Sequence, residues 1–266
     1  MGLYKNRIVV KVGTSTLTND IGKSDLRSFD RLACVLSDIQ NMGYEVILVS
    51  SGAIAVGTNK MRMKKRPTSM RLKQAAAAVG QCSIMHLYDK FFNDYDKTIA
   101  QILLNAEDIE NEEKKDNLIN TFDALLEMNI IPVVNENDSV SYTEIESEDR
   151  LFGDNDMLSA VVAVLCKAHK LIILSDIDGF YDSDPRLYQN AKLIGKIDQI
   201  DESIQALAGG AGSRRGTGGM KTKLQAAKLA TAQGIDTIIS NGKKPDALYD
   251  ILKGISVGTL FVGKQL

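Results

Sequence analysis

A chain of 266 residues with 44 % hydrophobic and 25 % charged side chains has the composition of a soluble globular protein, long enough for one large α/β domain or two small ones. Its formal net charge of −2 supplies no field toward nucleic acid or an anionic membrane, and no apolar run approaches the ~20 residues of a membrane span. Two histidines, His86 and His169, exclude histidine-rich zinc chemistry, while Cys34, Cys82 and Cys166 are odd in number and widely spaced, as befits free thiols in a reducing cytosol.

Residues 1–5 lead directly into a strand without a secretory signal, so a cytoplasmic protein is expected. Residues 7–12 are a β-branched run that predicts a strand. Leu26, Phe29, Ala33, Leu36 and Ile39 then recur at helical spacing, with Ser24 as the expected N-cap and Gly43 as the stop. Residues 45–49 predict a buried strand, 70–88 a long helix, 98–104 a strand, 117–128 a helix and 130–135 a strand. An apolar helix over 157–166 precedes a strand over 170–175. The helix predicted over 221–233 stops at Gly234 and leads to a strand over 237–240. Continuously apolar strands separated by helices predict an α/β fold with a mainly parallel sheet covered on both faces, in one continuous domain.

In such sheets ligands collect beyond the carboxyl ends of the strands. Those ends carry Lys11 before Gly13, Ser50-Ser51-Gly52, Asn135-Glu136-Asn137-Asp138, and Ser175-Asp176. Lys11 inside an apolar strand either reaches a counter-charge or snorkels at the sheet edge. Ser51-Gly52 opens a helix, either as an ordinary serine cap or with backbone donors that hold a carboxylate. Gly153-Asp154-Asn155-Asp156 precedes the next helix: Asn155 or Asp156 caps it, or these side chains grip an amino group, steer Mg²⁺ or hold lysines in place. Five basic residues among positions 60–66 read as a solvated, mobile segment near the site, without the interleaved aromatics of a nucleic-acid platform.

The most informative stretch is glycine-rich. Six of the eleven residues from Gly209 to Gly219 are glycine, and a helix follows at once with Lys221 and Lys223 in its first turn. Cations there oppose the helix dipole, and an anion between them relieves the conflict. A flexible linker is the competing reading. Met220 after Gly219 breaks the P-loop pattern, so the loop is a phosphate site of another kind.

Together these blocks resemble the amino acid kinase family. The resemblance is carried by residues 10–15, 49–57, 134–138, 152–156, 178–181 with 184–186, 216–223 and 254–259, which span nearly the whole chain in the family's order. It implies an αβα sandwich in which residues 1–169 hold L-glutamate and 170–266 hold ATP. The implied reaction is ATP-dependent phosphorylation of the γ-carboxylate of L-glutamate, giving L-glutamyl 5-phosphate for proline biosynthesis. By matching positions, Ser51, Gly52, Asp138 and Asn155 are expected to bind glutamate. Lys11, Gly13, Ser175, Asp176, Thr217, Gly218, Gly219, Met220, Lys221, Thr222 and Lys223 are expected to bind ATP.

Lys11 and Lys223 are expected to bracket the moving phosphoryl group, with Asp156 holding both ammonium groups and Lys221 only helping to hold ATP. Mg²⁺ is expected to arrive with ATP, liganded mostly by water and phosphate. The family's habits add a homo-oligomer and feedback inhibition by proline. Many bacterial members continue into a PUA domain where this chain stops at Leu266, so no RNA-related property is carried over. Other acceptors on the same fold are N-acetylglutamate, aspartate or a nucleoside monophosphate. Asp138 argues against them, because a free α-amino group wants a carboxylate. A non-catalytic ATP-binding sensor is the alternative from a different class.

Overall fold

The computed structural model describes residues 3–19, 22–140, 154–208 and 219–264. In chain order its elements are β1 (Tyr4–Val12), α1 (Thr14–Leu17), α2 (Leu26–Asn41), β2 (Glu45–Val49), α3 (Ala53–Lys60), α4 (Met70–Asn93), β3 (Ile99–Leu104), α5 (Ala106–Glu110), α6 (Glu112–Glu127) and β4 (Ile131–Glu136). The second half adds α7 (Asn155–Leu165), β5 (Ala168–Ser175), β6 (Lys196–Ile197), α8 (Glu202–Ala208), α9 (Met220–Ala232), β7 (Asp236–Asn241), α10 (Ala247–Leu252) and β8 (Thr259–Phe261).

The chain clusters into two compact units, one formed by Val12–Phe152 and the other by Met1–Lys11 with Gly153–Leu266. In the first, β2, β4 and β3 lie side by side and parallel, with Val49 opposite Val134 and Leu104 opposite Glu136. Within this unit α3 packs on α4 without an intervening side-chain layer. A Cβ on Gly57 would overlap the carbonyl of Ala76, and one on Gly80 would overlap that of Ala53. In the second unit the strand order is β1, β5, β7, β8, β6. Here β5 and β7 are parallel, β7 and β8 antiparallel, and β8 and β6 parallel. The α/β class and the mainly parallel pairing hold, and β7–β8 is an antiparallel pair within it. By contacts, α7 and the start of β5 cluster with the C-terminal segment.

Several helix ends differ from expectation for identifiable reasons. Asp25, not Ser24, caps α2: its carboxylate accepts from the N–H groups of Arg27 and Ser28 at 3.1 and 3.4 Å. Ser24 is engaged instead in an isolated bridge with Thr18. Helix α4 runs on to Asn93 because Phe92, fully buried, extends its apolar face beyond Tyr88. Helix α6 starts at Glu112, where Asn111 caps it by accepting from Lys114 N–H at 3.0 Å. Glu107, Asp108, Glu112 and Glu113 sit in the first turns of α5 and α6, where the helix dipole favours negative charge. That placement accounts structurally for the acidic run.

Candidate active site

Burial leaves two ammonium groups little choice but to share one carboxylate. Asp156 on α7 is fully buried, and Lys11 on β1 and Lys223 on α9 are nearly so, at 5 % and 6 % exposure. Lys11 Nζ lies 2.6 Å from Asp156 Oδ1, and Lys223 Nζ lies 3.0 Å from Oδ2. Thr222 Oγ1 is 3.0 Å from the same Oδ2 and 2.9 Å from the carbonyl of Gly219, so its single proton is shared between two acceptors. Burial pushes the Asp156 carboxyl upward, but the two ammonium groups together outweigh it and hold the group below the ordinary carboxylate range. Lys11 therefore reaches a counter-charge rather than snorkelling. For Lys223, Asp156 supplies the anion that a cation in the first turn of a helix needs.

Local structure explains how these side chains are aimed. Asp154, and neither Asn155 nor Asp156, is the N-cap of α7, and its Oδ1 accepts from Asp156 N–H at 2.6 Å. Three consecutive polar residues could each cap. The one in extended conformation does so, which frees Asp156 to point inward from the first turn. Asn155 is the first residue of α7, between the two aspartates. Gly219 opens α9 as its N-cap with no side-chain hydrogen bond, followed by Met220 and Lys221. Lys221 is exposed where Lys223 is buried, because two residues of helix turn it to another face. Thr217 and Gly218 lie outside the described residues.

In the same unit, β5 ends at Ser175, whose buried Oγ donates to Asp176 at 3.2 Å. Asp176 Oδ2 in turn accepts from Arg186 at 3.0 Å. Asp178 accepts from Asn241 Nδ2 at 2.8 Å, which ties the ends of β5 and β7 together. Thr259 Oγ1 takes the N–H of Phe180 at 2.7 Å and donates to Ile194 at 2.6 Å. Gly258, at φ +72°, lets that turn lie on the carbonyl of Ile239, where a Cβ would overlap. The blocks at 178–181 and 254–259 thus brace the rim beside Ser175 and Asp176.

The other unit holds a pocket of about 440 Å³. Its walls come from Ala53 on α3; Ala77, Gln81, Cys82 and Met85 on α4; Gln101 and Leu103 on β3; Glu136 at the end of β4; and residues 137–139 after it. Asp138 lies in this wall, and burial pushes its carboxyl upward while the charge of Arg66 draws it down, with burial prevailing. One residue of the basic segment at 60–66 therefore acts on the pocket electrostatically, and Lys60 is tied down by a 2.9 Å bond to Ser83. Gly52, at φ +99°, is the N-cap of α3 and has no side-chain capping bond, so the ordinary serine cap does not form. Ser51, beside it, is buried. Gly13 precedes the short α1 in the same unit, likewise without a capping side chain.

Sequence reasoning missed Thr222 as a partner of Asp156, Asp154 as the cap, and the pull of the Arg66 charge on Asp138. It also missed two buried bonds from α4, Tyr88 to Ser50 at 3.0 Å and Asn135 to Gln81 at 2.8 Å. A cap choice and a charge run gave faint signals for the second and third. Tyr88 and Gln81 gave none, because a tyrosine and a glutamine at helical spacing read as core and surface.

Residues 6–241 match the amino acid kinase family. The chain is 57 % identical to the glutamate 5-kinase of Clostridium perfringens over 97 % of its length and 96 % of that protein's. It is 50 % identical to the glutamate 5-kinase of Listeria innocua over 97 % of its length and 94 % of that protein's. Among solved structures it superposes on carbamate kinase from Giardia lamblia bound to AMP-PNP with a TM-score of 0.68 at 15 % identity, covering 97 % and 98 % of the two chains. UMP kinase from Ureaplasma parvum gives 0.65 at 18 % identity, covering 98 % and 100 %.

Proposed function

The chain belongs to the amino acid kinase family, and from that premise we propose that it transfers the γ-phosphoryl group of ATP to the γ-carboxylate of L-glutamate. It is a phosphotransferase with a carboxyl group as acceptor, and its product, L-glutamyl 5-phosphate, feeds proline biosynthesis. One observation carries the reading: the buried cluster of Lys11, Asp156 and Lys223 has two ammonium groups and one carboxylate. Its formal charge of +1 suits a phosphoryl group in transfer.

A carboxylate oxygen attacks the γ-phosphorus in line, the bond to the β–γ bridging oxygen breaks, and ADP leaves. The γ-carboxylate of glutamate is ionised at neutral pH, so no general base is needed. Two anions must meet, and charge spreads over the equatorial oxygens as the group moves. An ammonium 4 Å from that charge contributes about 4 kcal/mol at an effective dielectric near 20. Asp156, held ionised by its two partners, moves no proton; it fixes where the ammonium groups point. Ser175, Asp176 and residues 217–223 are assigned to ATP with Lys11 and Gly13, and Ser51, Gly52, Asp138 and Asn155 to glutamate. Mg²⁺ enters as part of MgATP, held by phosphate oxygens and water.

The same reading makes the protein a cytoplasmic homo-oligomer inhibited by proline, on the strength of the family's habits. No helix among the described residues is long and apolar enough to cross a membrane.

Hydroxylamine trapping tests the substrate directly. With ATP, Mg²⁺ and a panel of acids, an acyl hydroxamate is expected from L-glutamate. Reaction with N-acetylglutamate alone would overturn the substrate, and silence across the panel would favour an ATP-binding sensor.

Asp138 supplies a pH signature. Its carboxyl titrates above the ordinary carboxylate range, and the α-ammonium of glutamate needs the ionised form. The KM for L-glutamate is therefore expected to rise as pH falls through that raised pKa, while Asp156, held below the range, keeps kcat intact over the same interval. Asp138→Asn should raise KM at neutral pH and remove this acid limb. An acid limb unchanged in the variant would take Asp138 out of substrate binding.

A further inference from the structure

We propose that one face of α4 positions the glutamate-binding strand ends, with the Tyr88 hydroxyl and the Gln81 amide as its two anchors. The proposal rests on the L-glutamate reading and deepens it. In the parallel pairing of β2 with β4 the last partners are Val49 and Val134. Ser50 N–H still reaches Val134 at 2.9 Å, but the substrate segments, Ser51-Gly52 and residues 136–138, lie beyond the β2–β4 ladder, although Glu136 still pairs with Leu104 of β3. Something other than strand pairing must set them against each other.

Helix α4 touches both. Tyr88 OH and Ser50 Oγ lie 3.0 Å apart, with Tyr88 at 0 % and Ser50 at 1 % exposure. Seven residues earlier, Gln81 Oε1 accepts from Asn135 Nδ2 at 2.8 Å, again in the interior. Between them Ile84 lies 3.8 Å from where a Cβ on Gly52 would sit, and Gly80 backs onto the carbonyl of Ala53. Positions 80, 81, 84 and 88 fall on one side of a helix. The anchors are themselves stiff. The Tyr88 ring is held between Phe29 and Phe92, at centroid separations of 4.9 and 6.2 Å.

The consequence is a geometric constraint on substrate binding. The backbone donors at the start of α3 follow β2, and the carboxylate of Asp138 follows β4. A ligand that uses both needs their spacing fixed to a fraction of an ångström. Tyr88 acts through Ser50 and is a positioning residue. Gln81 acts through Asn135 and also forms part of the pocket wall.

The test uses the full chain in the hydroxamate assay, with Tyr88→Phe, Gln81→Leu and, as a packing control, Phe122→Leu in the buried face of α6. Tyr88→Phe removes one hydroxyl and keeps the ring, so a rise in KM for L-glutamate of about five-fold is expected. Gln81→Leu leaves the Asn135 amide buried without that acceptor, and about ten-fold or more is expected. The KM for ATP should stay within about two-fold in both, and Phe122→Leu should lower Tm without moving either KM. Tyr88→Phe with a lowered Tm and an unshifted KM for L-glutamate would overturn the proposal, since a purely structural bond behaves that way. An unaltered chain that forms no hydroxamate from L-glutamate would overturn the substrate reading and this proposal with it.

Discussion

Replacing Lys223 by alanine is expected to lower kcat by about 10²-fold or more while the KM for L-glutamate stays nearly unchanged. The expectation follows from what the side chain touches. Its ammonium is nearly buried and 3.0 Å from Asp156, so its field is little screened by water. A charge stabilising only the phosphoryl group in flight affects the transition state more than the ground state. Folding should survive the change. Asp156 keeps its 2.6 Å partner Lys11, the cluster becomes neutral rather than an orphaned charge, and alanine suits the interior of α9. Steady-state kinetics with saturating ATP, alongside circular dichroism, would check both halves. Unchanged turnover in a folded variant would remove Lys223 from the mechanism. A parallel rise in the KM for glutamate would move it from phosphoryl transfer to substrate binding.

Gly80→Val is expected to be strongly destabilising, with Tm falling by about 10 °C. The Cβ would overlap the carbonyl of Ala53 and crowd the N–H of Gly57, both backbone atoms that no rotamer change can move. Helices α3 and α4 must then separate, and overpacking of this kind costs roughly 3 kcal/mol. For a protein of this size each kcal/mol shifts Tm by about 2–4 °C. Gly43→Ala in the same unit is the useful contrast. Gly43 sits at φ +91° with nothing within 4 Å of an added Cβ, so only backbone strain of about 1 kcal/mol applies. Thermal melts of the two variants should differ several-fold in their Tm shifts. Equal shifts would mean that conformational strain, and not the crossing of α3 and α4, is what makes these glycines necessary.

What the sequence made legible was whatever breaks a pattern. Lys11 stood out because a charge interrupts a β-branched run, and Lys223 because a cation opens a helix beside glycines. Strand β2 matches its predicted range because five apolar or amphipathic residues are bounded by Gly43 and two serines. Other features obeyed the pattern and so were silent. Tyr88 continues the apolar spacing of α4, and only the three-dimensional fold shows that its hydroxyl meets Ser50. Strands β6 and β8, with two and three residues, are too short to express any period. Caps failed for a third reason: Ser24 and Asp25, or Asp154 and Asn155, are near-equivalent on propensity, and backbone conformation decides between them.

The shared carboxylate also has a consequence for biosynthesis of the protein itself. Lys11 is among the first residues made, Asp156 comes past the midpoint, and Lys223 arrives near the end. A nascent chain can form β1 and α7 early, but until α9 has emerged Asp156 has only one of its two cations. The Lys223–Asp156 contact is then the later of the two to close. A truncated or stalled product would keep an amino-acid pocket without the means to move a phosphate. Catalytic competence would thus report that nearly the whole chain has been made and packed.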